Sequence, residues 1–307
     1  MISSHNEWDQ LKRVVVGDAT WANWPKYDPV FAKEELKTTW KETPIPHGPV
    51  PQHIIDESNE DLQILADTLT NLGVDVVRPN SMNFQAHDGM YNYCPRDRFL
   101  IFGEAVIDPP MMYPCRDMEG QCYHEFFKDA NLIKMPRDQG LVLDAANILR
   151  LGPKKMLYLE SSSGNKLAYY WLLANLPTDT SIELCNFYSG VHIDSTIVPL
   201  REGLVLLNGS RVSKETVPNA FRDWECIFID NVIPQDFYQY PYASKWIAMN
   251  MLVVNPTTVI VDSAQNELIE LLTKKNFTVL PRTLRHSRTL GGGFHCVTLD
   301  LERESAK

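Results

Sequence analysis

The residues best suited to chemistry in this chain are Cys296, His192 and the aspartates Asp97, Asp144 and Asp194, with Ser244 as a polar companion. An ionised thiol is a strong nucleophile, an imidazole moves protons near neutral pH, and carboxylates are the natural partners of planar cations. Each has an ordinary structural use as well. Aspartates such as Asp97 and Asp144 commonly form turns and caps, and a lone histidine or cysteine is often just a packed core residue. His192 and Asp194 stand two apart on a stretch that reads as extended, which sets them on one face. Cys296 falls in Gly293–Leu301, which also reads as a strand. Alternation there assigns His295, Val297, Leu299 and Leu301 to one face, and Phe294, Cys296, Thr298 and Asp300 to the other. The preceding Gly291-Gly-Gly leaves room for backbone or ligand to approach closely.

These residues gain weight from the elements that must carry them, because a hairpin–helix–strand pattern recurs along the chain. Between 143 and 159, Asn147-Ile-Leu-Arg-Leu151 and Met156-Leu-Tyr-Leu159 flank a Gly-Pro-Lys-Lys turn, a hairpin signature. A helix with Leu167, Tyr170 and Leu173 on one face follows from about 165, and then a strand over Ile182–Asn186. The order returns over 195–230, ending on Cys226–Asp230, and again over 246–281, with a helix from Glu267 to Lys275 and a strand over Phe277–Pro281. A fainter copy spans 97–135. The N-terminal part supplies a strand at Arg13–Gly17, an irregular insertion, a helix near 57–72 and a strand at Val74–Arg78. The first of these five units lacks one hairpin strand, while the C-terminus has a spare one at Gly293–Leu301. Pairing the two would close a ring and remove exposed strand edges; an open mixed sheet of the same elements is the competing arrangement. Asp97, Asp144, His192 with Asp194, and Ser244 each precede a hairpin, so closure would gather them with Cys296 around one cavity.

Composition narrows the classes further. The 307 residues are 44% apolar and 22% charged, ordinary for a globular α/β chain, and nothing reads as a linker, so a single domain over 1–307 is expected. A formal net charge of −10 argues against a nucleic-acid partner, which calls for clustered Lys and Arg. No apolar run approaches the roughly 20 residues of a membrane span, and the N-terminus has no signal-peptide pattern, which favours the cytoplasm. The six cysteines are irregularly spaced, with no C-x-x-C pair. Cys115, Cys122 and His124 lack a matching second half for zinc and read as ordinary thiols and imidazole. No metal or organic cofactor is expected.

The segments Ser3–Asp9, Pro95–Asp97, Asp144–Ala146, His192–Asp194, Ser244–Trp246 and Leu290–Cys296 together resemble the arginine:glycine amidinotransferase family, in the same order over nearly the whole chain. The resemblance implies a five-bladed, pseudo-fivefold α/β propeller of ββαβ units, the pentein fold, and a homodimer. It also implies transfer of the amidino group of L-arginine through a covalent amidino-cysteine to glycine or another primary amine, with release of L-ornithine. Cys296, His192 and Asp144 would then form the catalytic set, while Asp97, Asp194, Arg211 and Ser244 would bind the donor. Two positions depart from the pattern: Asn147 stands where a second acidic residue is expected, and Ala243 replaces a serine before Ser244. The competing functions are a guanidino hydrolase of the arginine deiminase kind, which shares fold and nucleophile, and a non-catalytic binding protein on the same propeller.

Overall fold

The computed structural model describes residues 2–35, 45–188, 190–239 and 241–304; part of the irregular N-terminal insertion lies outside them. Five three-stranded sheets account for the expected units. The second holds β3 (Leu100–Phe102), β4 (Ala105–Asp108) and β5 (Asn131–Lys134), and the third β6 (Ile148–Gly152), β7 (Lys155–Leu159) and β8 (Ser181–Cys185). The fourth consists of β9 (Ile197–Arg201), β10 (Leu204–Asn208) and β11 (Glu225–Ile229), and the fifth of β12 (Leu252–Asn255), β13 (Thr258–Asp262) and β14 (Thr278–Arg282). In each of these four, the first two strands are an antiparallel hairpin, and the third returns parallel to the second.

The first sheet reproduces that order from both ends of the chain. Its middle strand β1 (Leu11–Val16) runs parallel to β2 (Asp75–Val77) and antiparallel to β15 (Thr298–Arg303), with Val16 opposite Thr298 and Val14 opposite Asp300. The last strand thus supplies the missing hairpin partner, and the ring closes rather than opening into a mixed sheet.

Local sequence explains the connecting helices. In α1 (Gln52–Asn71), Ile54, Ser58, Leu62, Leu65 and Leu69 are buried, the spacing of one helical face. It ends where Gly73 takes φ 81°, so that Gly73 N–H bonds Thr70 O and Val74 N–H bonds Leu69 O. That pair of bonds closes the last turn and needs a left-handed residue, which glycine adopts without strain. In the helix of the third unit, α2 (Lys166–Asn175), the face shared by Leu167, Tyr170 and Leu173 is the outward one, while Ala168 and Leu172 are buried. The helix is so apolar that periodicity locates it without telling which face meets the core. Strands β10 and β13 are buried along their whole length, in keeping with their unbroken apolar runs. Among the described residues, no helix is long and apolar enough to cross a membrane.

The middle of the ring is ionic rather than greasy. Arg150 lies in β6 with only 2% of its surface exposed; its Nη2 reaches Glu7 Oε2 at 2.6 Å and Asp300 Oδ2 at 2.7 Å. Asp300, fully buried, also meets Arg303 Nε at 2.6 Å and pairs with Arg96. These five side chains come from the N-terminal segment, the closing strand and two further units. Such a cluster contributes little net stability compared with apolar packing, but removing one member strands the others without a partner. Arg150→Leu is therefore expected to cost about 3–5 kcal/mol, read as a lowered urea midpoint; a loss below about 1 kcal/mol would show that the cluster does not hold the ring.

Candidate active site

Three of the five first strands are entered through a short helical turn, and in the fourth unit and ahead of the closing strand a tight turn does the same work. Asp97 sits within Pro95–Arg98 ahead of β3, Asp144 caps Ala145–Asn147 ahead of β6, and Ser244 caps Lys245–Met249 ahead of β12. The loop at 192–196 leads into β9, with Thr196 N–H and Ile197 N–H both bonding Ile193 O. Residues 293–298 lead into β15, with Val297 N–H on Gly293 O and Thr298 N–H on His295 O. Neighbouring turns are stitched together by Ile193 N–H to Ala146 O at 3.0 Å, Arg96 N–H to Cys296 O at 3.3 Å and His295 N–H to Asn250 O at 3.2 Å. All seven residues singled out from the sequence (Asp97, Asp144, His192, Asp194, Arg211, Ser244 and Cys296) line one cavity of about 1080 Å³.

Two local readings need correction. Cys296 is not on a strand: β15 begins at Thr298, and Cys296 lies in the preceding turn. Alternation therefore does not apply, and His295 and Cys296, assigned to opposite faces, both reach Asp194 Oδ2, at 2.8 Å from His295 Nδ1 and 3.3 Å from Cys296 Sγ. The stretch around His192 is not extended either. His192 has φ 57°, a left-handed conformation unusual for a side-chain-bearing residue, and its N–H is held by Asn147 Oδ1 at 3.1 Å. Asn147 is wholly buried and also bonds Ser161, Ser163 and the Leu159 carbonyl. A neutral amide satisfies all four contacts where an acidic side chain would lack donors.

The geometry around the thiol is acidic. His192 Nε2 is 3.1 Å from Asp144 Oδ2, and its Nδ1 is 3.7 Å from Asp97 Oδ1. Asp144 is fixed by the Met112 N–H at 2.8 Å. Asp97 Oδ2 accepts from Arg116 Nη1 at 2.8 Å, whereas its buried Oδ1 accepts no hydrogen bond from the described residues. Burial opposes a proton on His192, but the carboxylates of Asp97, Asp144 and Asp194 outweigh it and raise its pKa to about 9. Burial, then the charges of Asp194 and Asp97, push the Cys296 thiol well above its ordinary range. The resting pair at neutral pH is thus imidazolium and thiol. Burial also lifts Asp97, against His192 and Arg116; Asp194 ends below the usual carboxylate range because His295 outweighs its burial.

Among the described residues, Arg211 donates to hydroxyls: Thr196 Oγ1 at 2.7 Å, Ser195 Oγ at 3.3 Å and Ser244 Oγ at 3.3 Å. Its guanidinium stacks on Tyr188 at 4.6 Å, and no carboxylate of the described residues is within ion-pair distance. Sequence reasoning missed several members. Arg116 and Glu119, joined by hydrogen bonds of 2.9 and 3.0 Å, come from an irregular 3₁₀ stretch with no pattern to flag them. Glu7 and His295 did lie within the segments that carry the family resemblance, and Asn250, whose Oδ1 accepts the Cys296 N–H at 2.9 Å, had no signal.

A closed ring of five ββαβ units, with a thiol, an imidazolium and carboxylates converging on its central cavity, defines an enzyme of the pentein class of α/β propellers. The chain is 39% identical to inosamine-phosphate amidinotransferase 1 of Streptomyces glaucescens, over 99% of this chain and 97% of that protein. It is 29% identical to the L-arginine:L-lysine amidinotransferase of Pseudomonas savastanoi pv. phaseolicola, over 98% and 94%. The solved inosamine-phosphate amidinotransferase of Streptomyces griseus superposes with a TM-score of 0.92 at 38% identity, covering 100% of this chain and 98% of that one. No protein-family model matches. The chain belongs to the amidinotransferase family.

The raised thiol gives a direct check. An ordinary exposed thiol is half ionised near about pH 8.5. Because thiolate is the reactive form, alkylation of Cys296 by iodoacetamide in the ligand-free enzyme should be slow at pH 7–8 and still be accelerating above pH 9. Peptide mass spectra over a pH series would report it, and a plateau by pH 8 would contradict the assigned electrostatics.

Proposed function

We propose that this amidinotransferase, working as one domain, takes the amidino group from L-arginine, carries it on Cys296, and delivers it to a primary amine. The observation that carries the donor assignment is a pair of complementary groups on one cavity, a buried carboxylate oxygen and a half-buried guanidinium. Asp97 Oδ1 accepts no hydrogen bond from the described residues, and Arg211 is a cation that donates to hydroxyls among them. An unsatisfied buried oxygen is costly until a ligand meets it, and a half-buried cation with no carboxylate partner among the described residues is ready to meet an anion. A molecule with a guanidinium at one end and a carboxylate at the other satisfies both, and the carboxylate–Arg211 contact is a charge-assisted one. Ser244, already bonded to Arg211, adds a hydroxyl beside that end of the donor.

The chemistry follows from the resting charges. A guanidinium beside Asp97 and Asp194 offsets the negative field that holds Cys296 protonated, so donor binding itself favours the thiolate. Sγ attacks the guanidino carbon, and the C–S bond forms. His192, an imidazolium held by Asp144, gives its proton to the departing amine nitrogen as the C–N bond breaks. The thiol's proton goes to solvent when the donor binds, His192 is left neutral after protonating the departing nitrogen, and the released amine takes up a solvent proton to leave as an ammonium, so the protons balance. The acceptor amine then loses a proton to His192, forms the new C–N bond and displaces Sγ. Each half-reaction uses the same cavity in turn.

For the acceptor, the reading favoured is a polar amine larger than glycine. The cavity lies just above the usual small-molecule range of roughly 300–1,000 Å³, and its lining includes Ser161, Ser162, Asn186 and Lys166. Those hydroxyl, amide and ammonium groups suit a polyhydroxylated or anionic body, and inosamine phosphate is the acceptor class named for the relatives from Streptomyces.

Incubation with guanidino-labelled arginine should add about 42 Da to the intact protein, on the Cys296 peptide. Cys296→Ser should show neither adduct nor turnover, and an adduct on Cys94 or Cys115 would overturn the nucleophile. Labelled ornithine should exchange into arginine without any acceptor, and across a panel of glycine, lysine and inosamine phosphate the label should appear in a new guanidino compound. Steady citrulline formation from arginine alone, with no exchange, would instead mark a hydrolase.

Arg211→Ala tests the other end of the donor. Loss of a charged hydrogen-bonding contact of about 1.5–3 kcal/mol should raise KM for arginine by roughly 10- to 150-fold, with a smaller effect on kcat. An unchanged KM would remove Arg211 from the donor site.

A further inference from the structure

His295 stands next to the nucleophile in sequence but plays no part in the chemistry above. Its ring is buried, and both nitrogens face carboxylate oxygens: Nδ1 lies 2.8 Å from Asp194 Oδ2, and Nε2 lies 3.2 Å from Glu7 Oε2. Both partners are held as anions. Glu7 is kept far below the ordinary carboxyl range; burial opposes this, but the Arg150 charge and hydrogen bonds, with His295, prevail. Arg150 supplies Nε at 2.8 Å to Glu7 Oε1 and Nη2 at 2.6 Å to Oε2. A neutral imidazole has one donor and one lone pair, and would set that lone pair against one of the two carboxylates. Only the imidazolium donates to both.

The outer end of this chain of contacts is rigid and the inner end is reactive. Glu7 is fixed by the buried hub, and Arg96 Nη1 stands 3.8 Å from it. At the inner end, Asp194 Oδ2 accepts from His295 and from Cys296 Sγ together. Asp194 shares the cavity with Asp97 and Asp144, and a buried carboxylate among like charges takes up a proton unless something holds it ionised. The charged or titratable groups around these contacts are Glu7, Arg96, Asp194, Cys296 and His192, with Asp97, Cys94 and Tyr93 facing the Cys296 end and Arg150 and Asp300 one contact further out.

We propose that His295 is a positioning residue: standing as a buried imidazolium between Glu7 and Asp194, it keeps Asp194 ionised and turned toward the Cys296 thiol and the donor guanidinium. The hub of the propeller thereby sets the charge of the active site through one side chain. The part concerning the donor rests on the proposed role of Asp194, whereas the protonation state of His295 does not.

Two measurements separate these. In the ¹⁵N-histidine-labelled wild-type enzyme, with the His295 signals assigned by their loss in His295→Gln or, if that variant does not fold, by through-bond correlation to the residue's backbone, both ring nitrogens should carry protons at pH 8. A free imidazole with a pKa of about 6.5 is mostly neutral there. An unprotonated ring nitrogen overturns the proposal without reference to turnover. In kinetics, His295→Gln should move the acid limb of kcat/KM for the donor upward by about one pH unit. The deficit should be about tenfold at the acid end and shrink as pH rises. A residue needed only for packing would lower kcat/KM by the same factor at every pH, and that result sinks the proposal. Should His295→Gln fail to fold, Glu7→Gln is the second variant, expected to shift the limb the same way by a smaller amount; an unmoved limb counts against it equally. Absence of any arginine turnover in the wild type would refute the functional reading, leaving the nitrogen spectrum to decide His295 alone.

Discussion

The antiparallel pairing of β1 with β15 is the constraint from which the rest follows. Two segments almost 290 residues apart in sequence complete one sheet, and the sheet they complete is the first unit of a ring. Without it, the turn that holds Cys296 would have no fixed position relative to Asp97, which it meets through the Arg96–Cys296 backbone bond. Closure costs chain entropy that grows slowly with loop length, and many small contributions offset it: the strand ladder, the N-terminal segment bonded to Leu301 and Gly103, and the ionic cluster at the centre.

That cluster does a different job from the apolar cores between the units. Oily side chains hold the units together with little regard to angle, since burial is proportional to area and not directional. Arg150, Glu7, Asp300, Arg96 and Arg303 have directional requirements, so they fix how the units sit around the axis. The same rigidity extends upward into the cavity through His295 and Asn250, both of which contact the turn at 293–298 or its neighbours.

The site then works by balance of charge. Three aspartates in a buried cavity hold protons on the groups nearest them, which keeps His192 an acid and Cys296 a thiol while the cavity is free of donor. On the proposed reading, a cationic donor would offset the second effect by placing positive charge beside Asp97 and Asp194. Under that proposal the thiol stays protected from stray electrophiles and oxidants until the donor binds, and the departing amine would meet an acid already charged.

Much of this was legible in the chain. Hairpins, helices and their order depend on nearest-neighbour patterning, so five repeats and the unpaired terminal strands were visible, as were Asp97, Asp144, His192, Asp194, Ser244 and Cys296 as a set in phase with the units, while Arg211 came from the family resemblance alone. What tertiary structure alone decided is local in space but not in sequence. The outward face of α2 depends on what packs against Ala168 and Leu172, not on its own apolar pattern. The turn at Cys296 and the left-handed His192 are held by Asn250 and Asn147, partners 46 and 45 residues away. Arg116 and Glu119 enter from a stretch with no periodicity, and the bridge from Glu7 to His295 spans 288 positions. Pattern in a sequence records what each segment does by itself; the protonation states that make this cavity reactive arise only when charges from distant segments are buried within a few ångströms of one another.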